Sequence, residues 1–459
     1  IGECRYMARP YLSNVDAAML QLDEPTNPMV ITTVMVFGSP IDYEHLKATL
    51  KVRLLDIARF RQRLAWSRGG IGRPYWEEDP GFDLGYHLQR ARLGTAAPAD
   101  QDVLQKAVGL LASTPLDMSR PLWQLHLIDG YGDGSVLVVR SHHAIADGVA
   151  LVHVMLSLTD PEPDAAWPGP EPADPPRPGR SRLKAIQQGA GMLKHPSLLR
   201  SLGRMGLGAT ADMGRFLISE PDPDTALRGE LGYNKRVAWS AGVPLEEIKT
   251  IGKALGGTVN DVMLSVVAGA LRRYLKQRGE SVEGIDLRVT VPVNVRPLGD
   301  GGKLGNRVGA MFVTLPVSIA DPVCRLGEIV QHVNGRKNSL EAPVYFAALN
   351  VLGRAPAPIT KGLVNTFGKK ASVVMTNVKG PQEQLYLAGA PLTELIAWVP
   401  TTGGMALGLS VLSYAGEVRL GVLTDGGLMP DPGAIIAGFH AEFESLLGRA
   451  SGSVDDTEA

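Results

Sequence analysis

A chain of 459 residues is longer than one hydrophobic core usually serves, and its length points to two or three domains. Hydrophobic residues at 44% and charged residues at 20% exclude wholesale disorder. The balance of 46 Lys+Arg against 47 Asp+Glu excludes the strongly basic character that nucleic-acid binding usually demands, although a local patch suited to a membrane surface stays compatible with it.

The opening IGECRYM forms no secretory signal, because Glu3, Arg5 and Arg9 interrupt any apolar core. Cys4 and Cys324 match no metal or redox spacing, so no metal is expected and a reducing compartment is the simplest setting. No apolar run reaches the roughly 18 residues of a spanning helix; the stretch at 262–271, VMLSVVAGAL, is among the longest. The sequence therefore predicts a chain that is soluble or rests on a membrane without crossing it.

In chain order, Ile31–Phe37 reads as a β-branched strand. Asp42–Asp56 reads as a helix with Leu46, Leu50 and Leu54 on one stripe and Asp42 near its N-cap. Leu122–Ile128 alternates as a half-buried strand does. The glycine-rich turn at 129–134 leads into a second strand, Val136–His143, and Gly148–Leu158 follows as a helix. The proline-rich stretch at 161–180 predicts an extended linker, since proline removes a backbone donor and disfavours helix before it. Beyond it, 181–219 carries six basic residues against one acid, Asp212, among many Leu and Met. That segment suits either a basic amphipathic pair on an anionic lipid surface or a crossover packed on the protein, and its glycines weaken an isolated helix.

From Arg236 the pattern is α/β again. Helices are predicted at Leu245–Leu255, Asn260–Leu275 and Asp431–Leu447, and strands at Leu287–Val293, Met311–Val317, Ser372–Asn377, Ala406–Ser413 and Glu417–Leu423. The expected organisation is an α/β lobe over 1–160, a linker and crossover over 161–235, and a second α/β lobe over 236–459.

The stretch Ser141-His142-His143-Ala144-Ile145-Ala146-Asp147-Gly148 carries the chemistry. It ends an apolar strand with two histidines, sets a carboxylate four residues after the second, and enters a helix through glycine. Imidazole titrates near neutrality, so a positioned histidine can take a hydroxyl proton and return it. Gly148 allows a sharp turn and close approach of a substrate. Singly, each residue also has a structural role: a hydrogen-bonded core histidine, or an N-cap in Asp147. The combination is far more specific than its members.

HHAIADG matches the HHxxxDG motif of acyltransferases with the chloramphenicol-acetyltransferase-like fold, a motif that nonribosomal peptide condensation domains share. Along almost its whole length the chain resembles bacterial wax ester synthase/acyl-CoA:diacylglycerol acyltransferases. The similar blocks are Leu12-Ser13-Asn14-Val15-Asp16 with Pro28-Met29, then Arg61-Gln62-Arg63-Leu64, Phe82-Asp83-Leu84 and His87-Leu88, and Pro121-Leu122-Trp123. They continue with Val259-Asn260-Asp261-Val262, Pro292-Val293-Asn294-Val295-Arg296, Gly305-Asn306 and Thr376-Asn377-Val378-Lys379-Gly380-Pro381. The chain departs from the family pattern at Thr376 (Ser), at Lys379 (Pro), where a looser loop with an added cation is expected, and at Val30, where the family often has His.

The resemblance implies two chloramphenicol-acetyltransferase-like lobes, each a mixed sheet flanked by helices, with the active site in a tunnel at their interface. It implies long-chain acyl-CoA as a substrate and not a cofactor, with diacylglycerol or a fatty alcohol as acceptor and no acyl-enzyme intermediate. His143 is then the general base, with His142 and Asp147 completing the catalytic group as supports of its loop, Asp147 through a pairing with Arg296. Gly148, Asn260 and Trp123 are expected on the substrate side. Asn260 is either a donor to the developing oxyanion or a helix N-cap, Trp123 doubles as a core aromatic, and Asp261 supports the site. A cytoplasmic enzyme, peripheral on the inner membrane or lipid bodies through 181–219, is the implied setting. The competing readings are a condensation or polyketide-type acyltransferase using a carrier-protein thioester, and a non-catalytic lipid-surface protein.

Overall fold

The computed structural model describes residues 10–66, 73–93, 100–165, 220–296, 304–336 and 341–455. Most of the proline-rich linker, all of the basic segment at 181–219, and Cys4 lie outside the described residues.

The first half runs α1 (Asn14–Gln21), β1 (Val30–Phe37), α2 (Tyr43–Thr49), β2 (Gln62–Ala65), β3 (Tyr75–Glu78), α3 (Leu84–His87), β4 (Leu88–Arg92), α4 (Gln101–Ser113), β5 (Trp123–Tyr131), β6 (Gly134–His142) and α5 (Gly148–Leu158). Asp42 caps α2 by accepting from the His45 N–H at 2.7 Å, as its position predicts. The helix expected to reach Asp56 instead widens into a π turn over Leu50–Leu54, which still buries Leu46, Leu50 and Leu54 together. β1 is buried along its whole length because both of its faces are covered, which explains why apolar residues occupy both of its faces, interrupted only by Thr32 and Thr33.

The second half runs β7 (Lys235–Trp239), β8 (Val243–Pro244), α6 (Leu245–Leu255), α7 (Val259–Gln277), β9 (Leu287–Asn294), β10 (Val308–Leu315), α8 (Pro322–Arg336), α9 (Glu341–Leu352), α10 (Ala357–Gly368), β11 (Val373–Lys379), β12 (Tyr386–Leu387), β13 (Ala390–Trp398), β14 (Leu407–Tyr414), β15 (Glu417–Asp425) and α11 (Pro432–Asp455). α7 starts with a capping box in which Thr258 and Asp261 satisfy each other's backbone N–H. Its long apolar run is buried among the second sheet and its neighbouring helices. Among the described residues no single helix is long and apolar enough to cross a membrane; α6 and α7 reach that length only together, bent by 94°.

Two mixed sheets result. The first has the order β12-β13-β1-β6-β5-β4 and the second β10-β9-β11-β14-β15-β7. β13 comes from the second half of the chain yet pairs antiparallel with β1, Thr32 facing Trp398, while β6 holds the other edge of β1. Between the sheets, Val34, Val36, Val138, Trp239, Ile396 and Trp398 form a shared apolar layer with α4. Separate cores lie on the outer side of each sheet. This two-lobed α/β architecture is the one the sequence leads one to expect. Lys379 does not open a loop: it ends β11 opposite Ser413, and the Gly380 N–H that follows donates to Ser413 O at 2.9 Å.

Candidate active site

β6 delivers the two histidines. The His142 N–H donates to Leu122 O and the His143 N–H to Met29 O, so the strand's hydrogen-bonding direction persists one residue past its end. The two rings then part. His142 is fully buried; its Nδ1 accepts the Ala144 N–H at 3.0 Å and its Nε2 lies 3.4 Å from Asp23 Oδ1. The Asp23 carboxylate also accepts the Met29 N–H at 2.7 Å, so His142 braces the loop beneath His143.

His143 lines a cavity together with Asp147 and Gly148 from its own lobe and β9, β10 and β11 from the other. The walls include Thr290, Pro292, Ala310, Thr376 and Val399, mostly apolar or small. Three wall residues, Thr290, Tyr345 and Thr402, also bound a second, smaller space lined by Phe312, Leu349, Leu352, Val364 and Met405. An apolar recess under α9 and α10 thus adjoins the site.

His143 Nδ1 lies 2.8 Å from Asn306 Oδ1, which leaves Nε2 as the nitrogen for a substrate. Burial holds the ring's pKa below its ordinary 6.5; the nearby Asp147 charge and the Asn306 hydrogen bond pull it partly back. A neutral imidazole at pH 7 is a base ready to accept a proton. Because that form is lost as pH falls through the lowered pKa, the acidic limb of kcat/KM should lie below pH 6.5. A limb centred above 6.5 would contradict the assignment of this ring as the base.

Asp147 is an N-cap and a clasp at once. Its Oδ1 accepts the Ala150 N–H at 3.0 Å, its Oδ2 accepts the Arg307 N–H at 2.9 Å, and Arg296 Nη1 reaches both carboxylate oxygens, at 2.8 and 2.6 Å. Arg296 also donates to Gly305 O. The sequence pairing of Asp147 with Arg296 is present, and it links α5 to the strands across the cavity.

Other expected site residues stand differently. Gly148 borders the cavity but is not in the left-handed region, so no sharp turn depends on it. A Cβ there would meet only Val399 at 4.0 Å, and open space is what this glycine supplies. Asn260 is not on the cavity wall and does not cap α7, since Thr258 does. Its Oδ1 accepts from Asn377 Nδ2 at 2.9 Å, and it is Asn377 that borders the cavity. Asp261 completes the cap of the same helix and so supports the site only through Asn260's helix. Trp123 is a core residue: its indole N–H donates to Phe60 O at 2.8 Å and its ring stacks on His87 with centroids 4.4 Å apart. Its large apolar face is satisfied there, away from any substrate. Val30, where the resemblance leads one to expect His, opens β1 opposite His142. Asn306, Asp16 and Asn377 all lie in the quoted blocks, but a single amide or carboxylate carries no periodicity or spacing that marks its role in the sequence.

The two-sheet α/β fold, with its histidine on an interlobe cavity, is the fold of HHxxxDG acyltransferases and is shared by condensation domains. The first condensation domain of the calcium-dependent antibiotic synthetase superposes with a TM-score of 0.62 at 16% identity, over 96% of this chain and 97% of that one. The wax ester synthase/diacylglycerol acyltransferase from Marinobacter aquaeolei VT8 gives 0.71 at 24% identity, over 96% and 100%. The family model for the wax ester synthase/diacylglycerol acyltransferase catalytic domain matches residues 12–263, and the model for the WS/DGAT C-terminal domain matches 304–447. A Mycobacterium tuberculosis protein named putative diacylglycerol O-acyltransferase is 32% identical over 97% of both chains. Another from that organism, named probable diacylglycerol O-acyltransferase, is 28% identical over 95% of this chain and 96% of its own. The chain belongs to the wax ester synthase/diacylglycerol acyltransferase family and is an O-acyltransferase.

Proposed function

We propose that the protein moves a long-chain acyl group from acyl-CoA to diacylglycerol or a long-chain alcohol by direct transfer, with His143 Nε2 as general base. The observation that carries this reading is His143, held neutral on an apolar interlobe cavity with its Nδ1 already engaged. Nε2 takes the proton of the acceptor hydroxyl as its oxygen attacks the thioester carbonyl, and the tetrahedral intermediate collapses to ester. The proton then passes from the imidazolium to the departing thiolate, which leaves as coenzyme A. Nothing in this sequence calls for a cofactor, since the thioester is itself a substrate.

The recess under α9 and α10 has the apolar lining that a hydrocarbon chain requires, and a chain seated there would help keep water from the thioester. Asp147, Arg296 and His142 keep the loop in place. Both acceptors reside in lipid, and the basic 181–219 stretch is the part of the chain whose composition suits a lipid surface. Family matches along both halves favour acyl-CoA over a carrier-protein thioester as donor.

Purified protein given a long-chain acyl-CoA with either diacylglycerol or a fatty alcohol should release thiol and form ester in equal amounts. Thiol release without ester, or turnover only with an acyl group on a phosphopantetheine carrier, would defeat the proposal.

A further inference from the structure

We infer that Asn306, buttressed by Asp16, is a positioning residue that locks His143 as its Nδ1–H tautomer and thereby assigns the base to Nε2. The inference deepens the acyl-transfer reading and rests on it.

The partners of the Asn306 amide fix its orientation. Asn306 Nδ2 lies 2.6 Å from His143 O and 2.7 Å from Asp16 Oδ1. A backbone carbonyl and a carboxylate are acceptors, so the group facing them must be the NH2 with its two hydrogens. Turned over, the amide would set its oxygen against both. Its orientation therefore follows from its partners and not from an arbitrary placement of N and O. The remaining atom, Oδ1, has no hydrogen and lies 2.8 Å from His143 Nδ1. The hydrogen of that bond belongs to the ring. In a neutral imidazole a proton on Nδ1 leaves a lone pair on Nε2.

Asp16 holds the amide in turn. Its Oδ1 accepts both the side-chain and the backbone N–H of Asn306, at 2.7 and 2.9 Å, across 290 residues of sequence. Asp16 and Asn306 are each 4% exposed, so water competes little for these bonds. Gly305, at φ +108°, supplies the left-handed turn that presents the Asn306 N–H to the carboxylate. Thus α1, the 305–306 turn and the catalytic loop meet in one hydrogen-bonded relay. Asp147, the carboxylate nearest in sequence, is committed to Arg296, Ala150 and Arg307 and is not the ring's partner. A neutral amide takes the orienting place that a carboxylate holds in Ser-His-Asp sites.

The test is a long-range ¹H–¹⁵N correlation of the full chain labelled in its histidine rings, at a pH where His143 is neutral. Its signals are identified by their loss in His143→Gln. The expected spectrum shows Nδ1 protonated and Nε2 bare; the opposite tautomer in the wild type overturns the inference without recourse to any variant. Asn306→Leu should give mixed tautomers and lower kcat about 10–100-fold, with KM changed by no more than a small factor. Asp16→Leu should shift the tautomer in the same direction. Asp16→Asn, whose carbonyl still accepts from the amide, should restore most of the Nδ1–H form. A normal tautomer in Asn306→Leu, a shifted tautomer with unchanged kcat, or an effect on KM alone would each overturn the inference. Should His143→Gln retain full activity, the role of the ring in acyl transfer fails, whereas the spectrum still reports the tautomer.

Discussion

His143→Ala should lower kcat/KM for acyl transfer by roughly 10²–10⁴-fold, the usual worth of a positioned general base. The residual rate comes from substrate positioning, which the cavity walls still provide. His143 is near the surface of the cavity and its side chain is not a packing centre of any apolar core, so the fold should survive the change. Thiol release and ester formation measured on the folded variant decide the matter. Ester synthesis within a few-fold of wild type would remove His143 from the mechanism.

The second large effect should come from Arg296→Met. Arg296 and Asp147 are each only 5% exposed at the side chain, and the pair joins the two lobes beside the catalytic loop. Removing the cation strands a buried carboxylate, a change that typically costs about 3–5 kcal/mol. A lowered denaturation midpoint and a reduced kcat are expected together, because the same carboxylate caps α5 and fixes the start of β10 through Arg307. Asp147→Asn should be milder at the cap, since asparagine caps helices as well as aspartate does, but it still leaves the guanidinium without its charge partner. A loss below about 1 kcal/mol for Arg296→Met, against that 3–5 kcal/mol expectation, would show that water reaches the pair more freely than its burial indicates.

Much of this was legible before any coordinates. Gly148–Leu158 and Leu245–Leu255 are helices over the predicted residues, the first capped at its start by Asp147 and the second stopped at its end by the left-handed Gly256. The β5–β6 hairpin is foreshadowed by its glycine-rich turn, and HHxxxDG with its arginine partner by residue type and spacing. What escaped is set by tertiary context. β10 begins three residues before its predicted start, at Val308, because pairing with β9 extends it through Gly309 and Ala310, which have weak strand propensity. Trp123 takes up the core-packing role that the sequence also offers for it, stacked on His87 and edge-on to Phe60. Asn260 and Asn306 are chemically alike in the sequence, yet only Asn306 reaches the imidazole; which amide does so depends on a turn and on a helix some three hundred residues away. β13 escaped as well, since pairing with the first strand of the chain leaves no local trace.

That closing strand has a consequence during synthesis. Val30–Phe37 leaves the ribosome early, but its partner Ala390–Trp398 follows only after some 350 further residues. At the usual 5–20 residues per second, the wait is roughly 20–70 s. Throughout it, one edge of the most apolar strand in the lobe stays open to any other extended segment, the chain's own or a neighbour's. Polysomes that crowd nascent chains together, or truncations that stop short of residue 390, should therefore turn this enzyme toward aggregates. A holdase bound to the first hundred residues would be the natural remedy.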